Sequence, residues 1–246
     1  MTNGRPPAPA VDVRERGHDA AGQPIQLDRR VFFQLLAFST GSGKSGPAVE
    51  ALGAGLARHG MAGVVYEDVN HPRGLALLTF SEEPLDFVTK TRVLVGEGAL
   101  AELEPRPELT MIGRTYSTGY EQDLEYWLLR RPRETVLNVE WPWAIWYPLR
   151  RKGPFERLDP PEKGSIMREH GMIGRAYGEA DLAHDVRLAC HGLDANDNDF
   201  VIGLMGKALH PLSHVVQAMR QTRQTAEFMD QMGPFFLGRA VLRHAP

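Results

Sequence analysis

The sequence predicts an α+β fold built from two ferredoxin-like βαββαβ halves in tandem. Two observations carry the prediction. Segments with alternating apolar residues and segments with 3.6-residue spacing follow one another as strand, helix, strand, strand, helix, strand, and the same order then recurs. In the first half, strands are expected at Val31 to Phe38, Met61 to Glu67, Leu75 to Phe80 and Thr110 to Ser117, with helices at Pro47 to Arg58 and Pro84 to Val95. In the second half, Trp143 to Leu149 is a strand and Pro160 to Met172 a helix opened by proline. Strands at Arg187 to Leu193 and Asp199 to Met205 come next. A helix carrying Leu212, Val215, Val216 and Met219 on one side follows, and a strand at Phe235 to Leu242 completes the set. The expected organisation is a disordered lead-in over 1–25, a half over 26–120, an irregular connection over 121–142 and a second half over 143–246.

Composition narrows the function classes. The chain has 246 residues, a formal net charge of −3 and ordinary apolar and charged fractions. A nucleic-acid binder normally carries a strong basic excess, so that class is set aside. No segment approaches transmembrane length, and the first two dozen residues lack an apolar signal core, so no membrane partner is expected. The one cysteine, Cys190, cannot form an internal disulfide, which suits a reducing cytoplasm.

Helical spacing places Ile166, Met167, His170 and Ile173 on one face, so His170 points among apolar neighbours. A buried imidazole needs a partner: it is either a core histidine bonded to a carbonyl or a metal or heme ligand. Seventeen residues on, Arg187 opens an apolar strand. It is either a surface ion-pair partner or a fixed cation for an anionic substrate. Three of the four tryptophans fall in the run Trp141 to Pro148, where strand alternation puts Trp143, Ile145, Tyr147 and Leu149 on one face. The segment Ser39 to Ser45 invites a phosphate-loop reading but fails it, because Phe38 stands where the first glycine must be. His184, His191, His210 and His214 form no pair with zinc-site spacing, although His191 shares a strand face with Arg187.

The run RLACHGLDANDNDFVIGLMG from Arg187 resembles, without a gap, the segment of chlorite dismutases that begins with their distal arginine. The run IMREHGMIGRAYG from Ile166 is similar to the proximal-histidine stretch of coproheme decarboxylases, the sister branch of the same heme-dependent superfamily. WYPLRRKG from Trp146 is similar to the element of those decarboxylases that carries their radical-forming tyrosine. The resemblance is strongest from about Trp141 onward. It implies a duplicated, dimeric α+β barrel whose subunits assemble as a homo-oligomeric ring, often a pentamer, with heme b or coproheme in the C-terminal half.

Residue by residue, the resemblance makes His170 the iron ligand, Arg187 the distal cation and Tyr147 the tyrosine that takes hydrogen from a propionate. Arg151 and, through a weaker local match in GRTYST, Tyr116 would hold heme propionates. The activity implied is oxidation chemistry on peroxide or a small oxyanion such as chlorite through a ferryl heme. Two alternatives stand beside it: coproheme decarboxylation to heme b with peroxide, and a heme carrier or sensor without catalysis. Tyr147 leans toward the decarboxylase branch and Arg187 toward the dismutase branch. Two departures from the family pattern matter. Four more residues than usual separate His170 from Arg187, expected as a lengthened loop over Gly178 to His184. Thr225, with Gln224 and Glu227 nearby, stands where chlorite dismutases place the carboxylate that bonds the proximal imidazole.

Overall fold

In the computed structural model, which describes residues 10–41 and 43–246, eight antiparallel strands hydrogen-bond into a closed ring. In chain order the elements are β1 (Glu15–His18), β2 (Pro24–Leu27), β3 (Phe32–Ser39), α1 (Ser45–His59), β4 (Gly63–Asp68) and β5 (Gly74–Ser81). Then come α2 (Arg92–Val95), entered through a wide helical turn at Phe87–Thr91, β6 (Glu104–Pro105), β7 (Met111–Thr115) and α3 (Arg131–Leu137), entered through a second wide turn at Tyr126–Arg130. The remainder is β8 (Trp143–Arg151), α4 (Pro160–Glu179), β9 (His184–Ala189), β10 (Phe200–Gly206), α5 (Leu209–Met219), α6 (Arg223–Phe228), β11 (Met229–Met232) and β12 (Phe236–His244).

The ring runs β7-β3-β5-β4-β12-β8-β10-β9 and returns to β7 through the pairs Arg114↔Ala189 and Thr115↔Leu188. Strands β3, β4, β5 and β7 stand in the spatial order fourth, first, third, second, and so do β8, β9, β10 and β12. Alternation along each strand divides the apolar residues between two faces. One set, including Phe33, Leu35, Tyr66, Leu78, Trp146, Val186, Val201 and Phe236, forms a core shared by both groups of strands. The opposite face of the first group packs under α1 and α2 through Leu52, Leu56 and Leu94. The opposite face of the second group packs under α4 and α5 through Leu204, Leu212 and Val215. Among the described residues no helix is long and apolar enough to cross a membrane.

Four expectations are corrected. The lead-in was expected to be disordered to residue 25, yet β1 and β2 form a hairpin with Glu15 opposite Leu27; residues 1–9 lie outside the described residues. Polar contacts hold it alongside Ile25 and Leu27, which pack on the shared core: the Glu15 carboxylate takes Arg114 Nη1 at 2.8 Å and the Ser117 N–H at 2.9 Å. The connection over 121–142 contains α3 and the turn before it, whose Leu128, Leu129 and Val136 enter the shared core. The wide turn takes more residues than a regular one and breaks the 3.6-residue pattern that would have betrayed the helix.

Helix α4 starts where expected, with the Asp159 side chain accepting the Glu162 N–H at 2.8 Å, but continues to Glu179 rather than Met172. Ile173 and Tyr177, four apart, extend its apolar stripe; of the residues expected to lengthen a loop, Gly178 and Glu179 go into the helix, while Ala180 to Ala183 form the turn before β9. Strand β9 ends at Ala189 instead of running to Leu193, because Cys190 begins a turn in which the Leu193 N–H returns to the Cys190 carbonyl at 2.8 Å and Gly192 adopts φ 69°. The strand begins three residues earlier than expected, which brings Asp185 into it. In the Ser39–Ser45 segment, Ser42 lies outside the described residues, and its neighbours turn from β3 into α1.

Candidate functional site

The helix-covered face of β8, β10 and β9 carries the site. Register places Tyr147 opposite Ile202, and Ile202 opposite Arg187, so these three form one row across the sheet. Directly opposed residues share a face, which fixes Tyr147 and Arg187 on the same side. The neighbouring rows are Ile145–Leu204–Asp185 and Leu149–Phe200–Ala189. The row is thus an apolar strip with a phenol near one end and a guanidinium at the other.

Tyr147 is 5% exposed and stacks on Phe235 with ring centroids 4.6 Å apart. Burial, reinforced by the Asp185 charge and opposed by Arg220, pushes its phenol well above the ordinary range, so it keeps its proton at neutral pH. Arg187, whose side chain is 38% exposed, has Nε 3.1 Å from Asp185 Oδ2. Asp185 is anchored from the other side by Arg131 Nη2 at 2.6 Å. Sequence reading passed over Asp185, although a strand period of two already places it beside Arg187.

His170 projects from α4 with Nδ1 3.2 Å from Thr222 Oγ1. The Thr222 hydroxyl donates its own proton to the Met219 carbonyl at 2.7 Å, which leaves it to accept from the imidazole. The hydrogen-bond network therefore assigns the proton to Nδ1 and the free lone pair to Nε2. Burial first, then the charges of Arg151 and Arg187, push the imidazole pKa down to about 4. At neutral pH the ring is uncharged. The partner is thus neither Thr225 nor Glu227: Glu227 pairs with Arg223 at 2.9 Å, and Thr225 Oγ1 lies 3.4 Å from Thr222 Oγ1. Gln224 is buried, and its Oε1 has no partner among the described residues. Thr222 lies 52 residues from His170, so no local pattern signals it.

Arg151, at the end of β8, is sandwiched between Phe155 and Phe200, its guanidinium 4.6 and 4.5 Å from the two ring centroids. Its Nη2 lies 3.7 Å from Met167 Sδ, and its buried Nε has no partner among the described residues. Tyr116 follows β7 and packs on Phe200 at 5.4 Å. Burial raises its phenol pKa, while Arg187 and Arg151 pull it back, which locates the three groups in one electrostatic neighbourhood. Beside them is a cavity of about 590 Å³ lined by Tyr116, Arg151, Lys152, Arg114, His191 and Asp199 among others.

The fold thus gathers Tyr116, Arg151, Arg187 and His170 from four separate segments, with Tyr147 in the Arg187 row. Tyr116 and Arg151 line the cavity; His170, Arg187 and Tyr147 do not. His191 lies just past β9, 58% exposed at the cavity and 3.2 Å from Asp199. His184 stacks on Trp141, and His210 and His214 are exposed on α5. No group of three or more His, Cys, Asp or Glu among the described residues could hold a bare metal ion.

Residues 111–241 match the family model for chlorite dismutase. Among solved structures, a heme-binding protein from Thermus thermophilus is 18% identical, with TM-score 0.66, 87% of this chain covered and 92% of that one. Chlorite dismutase from Candidatus Nitrospira defluvii in complex with imidazole is 15% identical, with TM-score 0.67 and coverages of 88% and 93%. A mutant of the same enzyme in complex with cyanide is 16% identical, with TM-score 0.67 and coverages of 88% and 92%. No curated protein sequence matches the chain.

Proposed function

Because this chain belongs to the chlorite dismutase family, we propose that it is a heme-dependent oxidoreductase acting on peroxide or a small oxyanion such as chlorite. One observation carries the reading: the neutral imidazole of His170 has Nδ1 tied to Thr222 and Nε2 free, within the field of two buried-site guanidiniums. A histidine ligates iron through a neutral nitrogen whose ring is oriented by a bond to the other nitrogen. The unpartnered Nε of Arg151 adds support, since a buried guanidinium donor without an acceptor is costly and a propionate would satisfy it. These residues fit a heme.

In this reading His170 Nε2 binds the iron, and Arg151 and Tyr116 hold propionates. Bound heme would supply a redox-active iron able to accept an oxygen atom from an oxidant and to give it electrons. The chain's own contributions follow from the geometry. Thr222 receives the Nδ1 proton through a neutral oxygen, so the imidazole is less electron-rich than one bonded to a carboxylate. Arg187 supplies a permanent positive charge that holds an anion and stabilises charge developing on it. Ile202, Leu204 and Phe200 keep water from the strip between Arg187 and the β8 residues.

Coproheme decarboxylation is the second reading, and the position of Tyr147 favours it. Its phenol keeps its proton, is buried and shares the Arg187 row, which suits a tyrosine that is oxidised and then takes hydrogen from a propionate. The two are separated by paired assays: heme-loaded protein given chlorite evolves dioxygen in the first, and coproheme-loaded protein given peroxide releases heme b, detected by mass, in the second. His170→Ala removes the heme absorbance band and every activity. Tyr147→Phe abolishes decarboxylation alone. Heme binding with neither turnover points to a carrier or sensor. The remaining proposals are that 26–120 and 143–246 are duplicated ferredoxin-like units, that the subunits form a ring, checked by light scattering, and that the protein works in the cytoplasm.

A further inference from the structure

Arg187 does not face the site as an unencumbered cation. Its counter-ion, Asp185, is two residues away on the same strand and face, with Oδ2 3.1 Å from Arg187 Nε. The same carboxylate is shared: Oδ1 accepts Arg131 Nη2 at 2.6 Å, and the Asp185 carbonyl accepts Arg131 Nη1 at 2.9 Å. Arg131 is itself held over the Trp127 ring at 4.8 Å. The Arg131 contacts are hydrogen bonds, whereas the Arg187 contact is an ion pair only. Asp185 is therefore fixed by α3, and Arg187 pairs with what remains of its charge.

Two guanidiniums and one carboxylate leave a net positive charge for a ligand. Arg187 keeps both Nη groups free of hydrogen bonds to the described residues. A two-oxygen anion can engage both Nη groups, as a bidentate pair, where Asp185 offers only one oxygen to Nε. We infer that Asp185 is a positioning residue that competes with a bound anion for the Arg187 guanidinium and so sets how tightly the site holds small oxyanions. This rests on the reading of Arg187 as the anion-holding cation. Arg131 belongs to the same device, since it draws off part of the Asp185 charge that would otherwise act on Arg187.

Nitrite, a stable two-oxygen anion, is the probe. Its affinity is measured on heme-loaded protein by absorbance and on heme-free protein through the Arg187 Nε–H resonance, which needs no iron. Asp185→Asn is expected to tighten nitrite binding about tenfold, equivalent to roughly 1.4 kcal/mol, and Arg131→Gln to weaken it. In an Arg187→Ala background both effects vanish if competition for Arg187 is their cause. Tightening that persists in that background shows a charge effect through space and overturns the inference. So does unchanged or weaker binding in a folded Asp185→Asn protein. If Asp185→Asn does not fold, Arg131→Gln decides alone, and unchanged or tighter nitrite binding there overturns the inference. If Arg187→Ala by itself leaves nitrite affinity unchanged, the reading of Arg187 falls first and takes the inference with it.

Discussion

Thr222 serves two structures at once. Its Oγ1 receives His170 Nδ1–H, and it caps α6 by accepting the Thr225 N–H at 3.4 Å. Thr222→Ala is expected to weaken heme retention about 10- to 100-fold, as the loss of an outer-shell partner does. It should also cost about 1 kcal/mol through the lost cap. Thr222→Ser retains both; heme transfer to an acceptor protein and thermal melting separate the two effects. Glu121 organises the backbone just after Tyr116: its carboxylate accepts the N–H groups of Thr118, Gly119 and Tyr120 and the hydroxyls of Ser117 and Thr118. Burial alone would raise its pKa, but those hydrogen bonds outweigh it and hold the carboxyl below the ordinary range. A depressed folded-state value means stability that is present above the unfolded carboxylate range and lost as pH falls through the folded value. Melting temperature should therefore fall more steeply with acidification in the wild type than in Glu121→Gln. An equal slope in the two proteins would remove Glu121 from the account.

At the scale of elements, β10 is the strand on which the site depends, because it lies between the strands that carry Tyr147 and Arg187. It can pair closely on both sides only because Gly203 leaves room for the fully buried Trp146 indole: a Cβ at Gly203 would lie 2.6 Å from two ring atoms. The indole is rigid and enclosed, so the clash cannot be relieved by a rotamer change. Gly203→Ala is expected to cost about 1–3 kcal/mol, read as a lower denaturation midpoint. The elements were legible wherever an apolar pattern was regular, as in β3, β5, β8 and α5. They were not legible where the pattern is short or interrupted: β1 and β2 are four residues each and are held by carboxylate contacts as well as by Ile25 and Leu27, and α3 is entered through a turn of altered period. The start of β9 was hidden for a related reason. Its first residues, His184 and Asp185, are polar because they serve a stack on Trp141 and an ion pair with Arg131, respectively.

At the scale of the molecule, the shared core makes the two groups of strands interdependent. Tyr66 and Phe236, from different groups, meet edge-on at 6.1 Å, and β4 pairs with β12 from Gly238↔Asp68 to His244↔Gly63. The other seam, between β7 and β9, has only two paired positions, and the site residues Tyr116 and Arg187 flank it. A fragment of residues 143–246 alone should show no cooperative melting, since it would expose half of that core to water. A cooperative transition in the isolated fragment would refute the interdependence.

The sequence by itself determined the order of the main elements and the residue types offered to the site: a histidine on an apolar helix face, an arginine in an apolar strand and a tyrosine on the aromatic strand. Periodicity is a local property, and a single chain records it. Only the tertiary structure decided their partners: Thr222 for His170, Asp185 and Arg131 around Arg187, and the row that joins Arg187 to Tyr147 through Ile202. Most of those contacts join residues far apart in the chain, where register and helix packing, not local spacing, set which side chains meet. Asp185 was the exception, within reach of a two-residue period but set outside the strand by a start placed three residues late.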